Sequence, residues 1–547
     1  MRRSRQSALA RYRERRGQAP AAPVRAGFRH RRWVRLGLLA ALLAVVWFTV
    51  GRPRETVPVK LTYELDLSDA ATGLLVITLI CDGELPPHLD LALPPGVFGD
   101  PRGSVHARDP VAHELGRDGR QVRPLRVEVS SAGWRLETRG SRRAGVVYSL
   151  DLRATPGSEQ DIRRHISTPV AGGVRAAGFE IFLEPLGIPV TDVTVQVHNP
   201  SGMPLLVPWP ALVRDGGPRA ATSAVADPGQ ANLGFGQGFR PAAGLPAPAA
   251  GETPAAMAPV PTNLVYRPRD LADLNNALLV CGDIRTQAAQ AGECVVQLAT
   301  DRDWLFADEA ALDLVRRIAR TEMAFFGSAP SDQITVLLSA NDVTGEERFD
   351  VYGVHTGSSV LVMLDRDTTW GMLEEQAASV IAHEMFHGWL GEAVRQTEPS
   401  MLWFTEGATT WYAARMLTAA GIWRPDHARG VLGARLDRDY ANNGLLGRLS
   451  VSAAAAEVMA TAEQVRYGYA GGVTACVALD EMLAGASGRA RPLDEVVRRL
   501  YRDYRGQSLT RERLEAAVEA VTGVRCGPWL DTYVYGKTTL PPVAGLL

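Results

Sequence analysis

The chain has 547 residues, with 59 Lys and Arg set against 60 Asp and Glu, and 46% of it is hydrophobic. That length holds about two to four domains, each able to bury its own core. A net charge near zero, with basic residues dispersed beyond the N-terminus, gives no argument for a nucleic-acid partner.

The first 35 residues hold twelve arginines and a single acid, Glu14. Residues 1–31 read as a basic cytoplasmic tail. The uncharged run Leu36 to Val50, extended to residues 32–51 if the flanking arginines snorkel, reads as a transmembrane signal anchor. The arginine excess before it places the N-terminus in the cytoplasm and the rest outside, in a single-pass arrangement in a bacterial cell (inner) membrane. A cleaved signal peptide is the competing reading, but Trp47-Phe48 followed by Arg52-Pro53-Arg54 makes a poor cleavage region.

Residues 56–213 alternate in short β-prone runs broken by Gly, Pro and Asp turns, as in Leu125-Arg126-Val127-Glu128-Val129, and predict an all-β, sandwich-like N-terminal domain. Residues 214–263, dense in Pro, Ala and Gly, read as a long loop or linker, and residues 264–300 as a connecting β segment. Helical periodicity begins at Asp308 to Phe326, and strands are expected at Ile334 to Leu338 and Ser358 to Leu364. The second of these would hold an extended peptide by edge pairing. A proline-free stretch from Leu373 to Leu390 predicts a helix, and a further one ends at Gly421. The chain beyond Val431 is mostly helical. The expected fold is therefore multidomain α+β, with a catalytic domain at residues 301–480 and a C-terminal helical domain at 481–547.

The five cysteines lack CxxC spacing and are too few for a disulfide framework. Cys281 and Cys294 are near enough in sequence to pair across a hairpin in an oxidising compartment. Cys81, Cys476 and Cys526 read as small buried hydrophobes.

The chemistry concentrates in Ala382-His383-Glu384-Met385-Phe386-His387-Gly388-Trp389. Two histidines four apart share one helix face, where both imidazoles can reach the same Zn²⁺. Eighteen residues on, Glu406 offers a third ligand and leaves one coordination position open for water, which is the catalytic arrangement. Glu384, between the histidines, stands beside the metal to take a proton from the attacking water. With ten histidines in the chain, an HExxH arises by chance in about one such sequence in a hundred, so the metal reading outweighs coincidence.

The HExxH with its distant glutamate in Trp403-Phe404-Thr405-Glu406-Gly407-Ala408 resembles the gluzincin, or thermolysin-like, zinc metallopeptidases. Within them the pattern is similar to the glycyl aminopeptidase family. Leu271-Ala272-Asp273-Leu274-Asn275-Asn276-Ala277, Tyr469-Ala470-Gly471-Gly472 followed by Leu479-Asp480, and Asp531-Thr532-Tyr533-Val534-Tyr535-Gly536 match further stretches of that family. The resemblance implies one zinc per chain held by His383, His387 and Glu406, with Glu384 as base and Tyr469 as the hydrogen-bond donor to the developing oxyanion. Tyr467, two residues earlier, is the rival for that last role.

One departure bears on specificity. The family's edge-strand motif carries a Glu before its His, expected to bind the substrate's free α-amine. Here the stretch is Tyr352-Gly353-Val354-His355, and only Glu346 or Glu347 in the preceding loop could substitute. His355 reads as a structural histidine bordering the site. Aminopeptidase and broader oligopeptidase activity on peptide substrates both stay open. So does a catalytically silent, zinc-bearing peptide-binding or scaffold domain, although Glu384 beside an open metal position argues against it. The sequence leaves the oligomeric state open.

Overall fold

The computed structural model describes residues 57–94, 107–130, 133–153, 166–212, 263–340, 351–457, 461–543 and 545. The basic tail, the expected anchor at 32–51, nearly all of the 214–263 linker, and Glu346 and Glu347 lie outside the described residues. Among the described residues, no helix is long and apolar enough to cross a membrane.

The protein is multidomain α+β. Its N-terminal region is a sandwich of antiparallel and mixed sheets. A seven-stranded sheet is centred on Val59–Asp66, Leu74–Asp82 and Arg143–Asp151, and Val190–His198 runs parallel to the first of these. Val59–Asp66 alternates buried and outward residues along its length, the pattern of a strand with one face on a core. The core beneath it joins Leu61, Tyr63, Leu79, Val146, Tyr148 and Phe182. Asn263–Tyr266, which sits after the long linker, returns to the edge of this same sheet.

The catalytic region is built on a five-stranded sheet: β1 (Arg285–Ala291), β2 (Cys294–Thr300), β3 (Gln333–Ala340), β4 (Tyr352–Thr356) and β5 (Ser359–Leu364), in the order β1-β2-β3-β5-β4. Strands β2, β3 and β5 are parallel and the two edges antiparallel. The parallel step from β2 to β3 is made through α1 (Asp308–Phe326), which is stopped by Gly327 at φ +87° with its N–H on the Met323 carbonyl. Two expectations change here. The connecting segment supplies two strands of the catalytic sheet, because residues 285–300 pair directly into it. Strand β5 is paired on both sides and buried at every position, so among the described residues the free edge belongs to β4.

Helices follow: α2 (Ala378–Phe386), entered through a π-helical turn at Leu373–Ala377; α3 (Leu402–Ala419); α4 (Pro425–Leu436); α5 (Ala462–Ser487); α6 (Pro492–Tyr504); and α7 (Arg511–Thr522). The α2 helix ends at Phe386, four residues before the expected Leu390. Position 480 falls inside the unbroken α5, so the catalytic and C-terminal helical segments are joined by one helix. They also share one core, running from Val296 and Ile381 through Trp403 and Leu479 to Leu530. All five cysteines are free and buried. Cys281 pairs into the sheet containing Gly173–Ala177, whereas Cys294 starts β2, and this corrects the expected disulfide.

Candidate metal centre and active-site cleft

The π-helical turn and α2 carry His383 and Glu384 along one surface, and His387 takes the C-cap. The Nε2 atoms of His383 and His387 are 3.1 Å apart, and Glu406 Oε2 stands 3.2 Å from the first and 3.5 Å from the second. Three ligands held 2.0–2.1 Å from a tetrahedral centre stand about 3.3 Å from one another. The donor set therefore fits one Zn²⁺. No other residue is needed to complete this group of three.

Each imidazole is oriented from behind. Thr410 Oγ1 lies 3.2 Å from His383 Nδ1, and the Leu390 carbonyl lies 3.1 Å from His387 Nδ1. Such partners turn both Nε2 atoms toward the shared point and set the tautomers. Thr410 was missed by sequence reasoning, though it sits four residues after Glu406, on the same face of α3. Electrostatics agrees with a cation site. Burial would lower the His387 pKa, but Glu406 and Glu384 outweigh it and hold it up at about 9. Burial likewise opposes ionisation of Glu406, yet the two imidazoles keep its carboxyl well below the usual carboxylate range. The field that keeps a proton between His387 and Glu406 also suits a metal ion, which competes with protons for such ligands.

Glu384 lies between the ligands and β4. Burial raises its pKa, His383 and His387 pull it back, and the backbone N–H of His355 donates to it. Gly353 makes room for it: a Cβ there would stand 2.6 Å from Glu384 Cγ and 2.5 Å from Val380 Cγ1. His355 has its ring nitrogens buried and its ring centroid 6.4 Å from that of His387. Burial, with His387 adding to it, pushes its pKa down to about 3, so the ring is neutral. Val354 turns into an apolar cluster with Leu337, Leu361 and Met363 and offers the site no charge.

The two tyrosines separate clearly. The ring of Tyr469 lies 6.3 Å from that of His383, and burial, with the nearby Glu406 and Glu384 charges adding to it, raises the pKa of its phenol. Tyr467 is turned away, donating to the Leu449 carbonyl at 3.1 Å and stacking on Tyr440 at 5.6 Å. Asp480 accepts the N–H of Leu493 at 2.8 Å and so anchors the start of α6, outside the metal cluster. The side chains of His383, His387 and Glu406 are 12–14% exposed, so the cluster is mostly buried yet still reached by solvent.

Residues 337–515 match the peptidase family M1 domain. The region is a gluzincin zinc-peptidase domain. Its fold is similar to that of an aminopeptidase N family protein from Idiomarina loihiensis, with a TM-score of 0.67 at 16% identity over 88% of this chain and 77% of that one. It is also similar to a variant M1 zinc metallopeptidase from Deinococcus radiodurans bound to a Tyr-Ser-Ala substrate, with a TM-score of 0.51 at 14% identity over 90% of this chain and 96% of that one. A two-domain M1 zinc metallopeptidase variant bound to L-arginine gives a TM-score of 0.51 at 13% identity over 90% of this chain and 96% of that one. Among curated proteins, none matches the chain. The M1 domain begins in β3 and ends in α7, so it spans the catalytic sheet's free edge, the metal ligands and the C-terminal helices.

Proposed function

We propose that this protein is a membrane-anchored metallopeptidase, its catalytic part outside the cytoplasm, which hydrolyses peptide bonds by Glu384-assisted attack of water. The observation that carries the reading is the meeting of His383, His387 and Glu406 at one point, with Glu384 and Tyr469 on either side of it. His383, His387 and Glu406 would hold zinc. Bound there, zinc supplies a Lewis acid that polarises the scissile carbonyl and eases deprotonation of water. Glu384 accepts the proton of the attacking water and returns it to the departing amine. Tyr469 donates its O–H to the carbonyl oxygen as negative charge builds there, a role its raised pKa favours because the phenol stays protonated. The outer edge of β4 offers backbone groups to an extended peptide.

Glu384→Gln is the direct test. The variant keeps zinc by elemental analysis and loses about 10²–10⁴-fold in peptide hydrolysis; Glu406→Ala loses the zinc itself. Full activity of Glu384→Gln overturns the mechanism, and no hydrolysis by the native protein leaves the silent peptide-binding reading.

Tolerance of blocked N-termini belongs to the same proposal. Val354 occupies the place of the family's amine-binding carboxylate and is buried, so a free α-ammonium gains little here. N-acetylation of a good substrate is expected to lower kcat/KM by less than about tenfold. Strict dependence on the free amine, abolished by Glu346→Gln or Glu347→Gln, would restore the strict aminopeptidase. The anchor is tested by a reporter fused after Leu547, active outside the cytoplasm in a protein that stays in the membrane after a carbonate wash.

A further inference from the structure

His387 caps the C-terminal end of α2, and the chain behind it folds into a short strap before α3 begins. Leu390–Gly391 and Val394–Arg395 pair as two parallel strands of two residues each. The strap lies directly against the ring it follows. The Leu390 carbonyl is 3.1 Å from His387 Nδ1, and a Cβ on Gly391 would stand 3.0 Å from that same atom. Gly391 also has φ +151°, a conformation that favours glycine, so a side chain is disfavoured there on both counts. Where the strap sits, the His387 ring follows.

Two sets of hydrogen bonds hold the strap. On one side, the Arg395 N–H donates to the Gln507 carbonyl at 2.9 Å, and the Arg395 carbonyl accepts from the Leu509 N–H at 2.8 Å, both in the loop between α6 and α7. On the other side stands Gln396. Its backbone N–H donates to the Gly391 carbonyl at 2.8 Å, closing the strap one residue past Leu390. Its amide donates from Nε2 to the Glu398 carbonyl at 2.6 Å, which leaves Oε1 to accept from Thr405 Oγ1. Thr405 is buried on α3 and directly precedes Glu406. One side chain therefore ties the backing of His387 to the neighbour of Glu406. The Thr405 hydroxyl also has the Met401 carbonyl of its own helix 3.2 Å away, so it keeps an acceptor when Gln396 is removed. The tie thus adds placement of the strap against α3, and α3 forms without it.

Resting on the metallopeptidase reading, we propose that Gln396 is a positioning residue that, by joining the strap to Thr405, sets the separation of His387 from Glu406 and so how tightly the ligands hold their metal. Groups behind metal ligands fix ligand orientation, and ligands held out of place bind more weakly. Gln396 and Thr405 are neither ligand, base nor oxyanion donor, so the chemistry of a loaded site stays in place.

Zinc affinity of the full-length protein, measured by competition with a chelator, is compared with the unfolding midpoint of the metal-free protein. Gln396→Met keeps the volume, removes the amide and is expected to weaken zinc binding about tenfold. Thr405→Val is expected to do the same, and Thr405→Ser, which keeps the hydroxyl, to match the native protein. The double variant Gln396→Met/Thr405→Val is expected to bind zinc no more weakly than either single one, since both remove the same interaction. Peptide hydrolysis lost at limiting zinc is expected to return when zinc is in excess. Native zinc affinity in Gln396→Met overturns the proposal, whether or not the metal-free midpoint falls, and so does additive loss in the double variant. If Gln396→Met does not fold, equal affinities of Thr405→Val and Thr405→Ser overturn it instead. If the native protein itself binds no zinc, the metallopeptidase reading fails and this inference with it.

Discussion

At the scale of single residues, the site depends on which groups are turned in and which are turned away. Tyr467 and Tyr469 are two apart on one helix, about 200° around its axis, and nothing in their types distinguishes them. The Leu449 carbonyl and Tyr440 hold the first, and His383 and Glu406 border the second. Tyr469→Phe is therefore expected to keep zinc and lose about 10²–10³-fold in kcat, as for removal of one oxyanion donor. Tyr467→Phe is expected to keep most activity and to lose some stability, since it leaves the Leu449 carbonyl without its donor. The opposite pattern in steady-state kinetics would transfer the role. Gly353 is a second such residue, and its signal was present in the sequence only as an unexplained glycine in a strand.

At the scale of elements, two glycines fix how near the metal helix pair comes to α5. A Cβ on Gly407 would collide with the backbone of Gly472, and one on Gly472 with the Trp403 carbonyl. Glu406 and Tyr469 sit next to these glycines, so the close approach of α3 and α5 sets their separation. Gly472→Ala is expected to push the helices apart and to lower kcat/KM at least about tenfold with helical content retained. Gly485, on the same α5, has nothing within 4 Å of where a Cβ would stand. Gly485→Ala is expected to leave kinetics alone and to raise stability by up to about 1 kcal/mol by urea unfolding. Elsewhere α3 is tied to α6 by Arg415 and Tyr412 on Asp494, the guanidinium at 2.5 and 2.8 Å and the phenol at 2.8 Å. All three are largely buried, so Asp494→Ala leaves a charge unpaired and is expected to cost about 3–5 kcal/mol.

At the scale of the whole molecule, the catalytic sheet, the metal helices and the C-terminal helices fold around one core. That core holds a liability. Glu322 on α1 is fully buried, and neither carboxylate oxygen has a partner among the described residues. Burial raises its pKa well above the ordinary carboxylate value, with no charged neighbour opposing it. Below about pH 4.3 both folded and unfolded chains carry this proton. As pH rises past that value, the unfolded chain releases it and the folded chain keeps it, so this group's contribution to stability declines with rising pH. Glu322→Leu is expected to raise the unfolding midpoint, by a margin that widens from pH 5 to pH 8. A margin that stays constant over that interval would mean the carboxylate is ionised in the fold.

Local pattern and spacing were enough to read much of this chain. Alternation along Val59–Asp66 marks a strand, apolar periodicity marks α1, and four-residue spacing puts His383 and His387 on one helix face, because each of these depends on neighbours within a turn or two. Even there the boundaries shifted: α2 stops at Phe386, and the strand expected at the sheet edge became interior once β4 folded back on it. Sequence order could not say that residues 285–300 complete the catalytic sheet, that Asn263–Tyr266 returns to the N-terminal one, or that Cys281 and Cys294 belong to different sheets. It also could not say that Thr410 backs His383 or that Gly472 meets Gly407. Those facts turn on contacts between residues tens to hundreds apart, whose packing is decided only when the whole core closes.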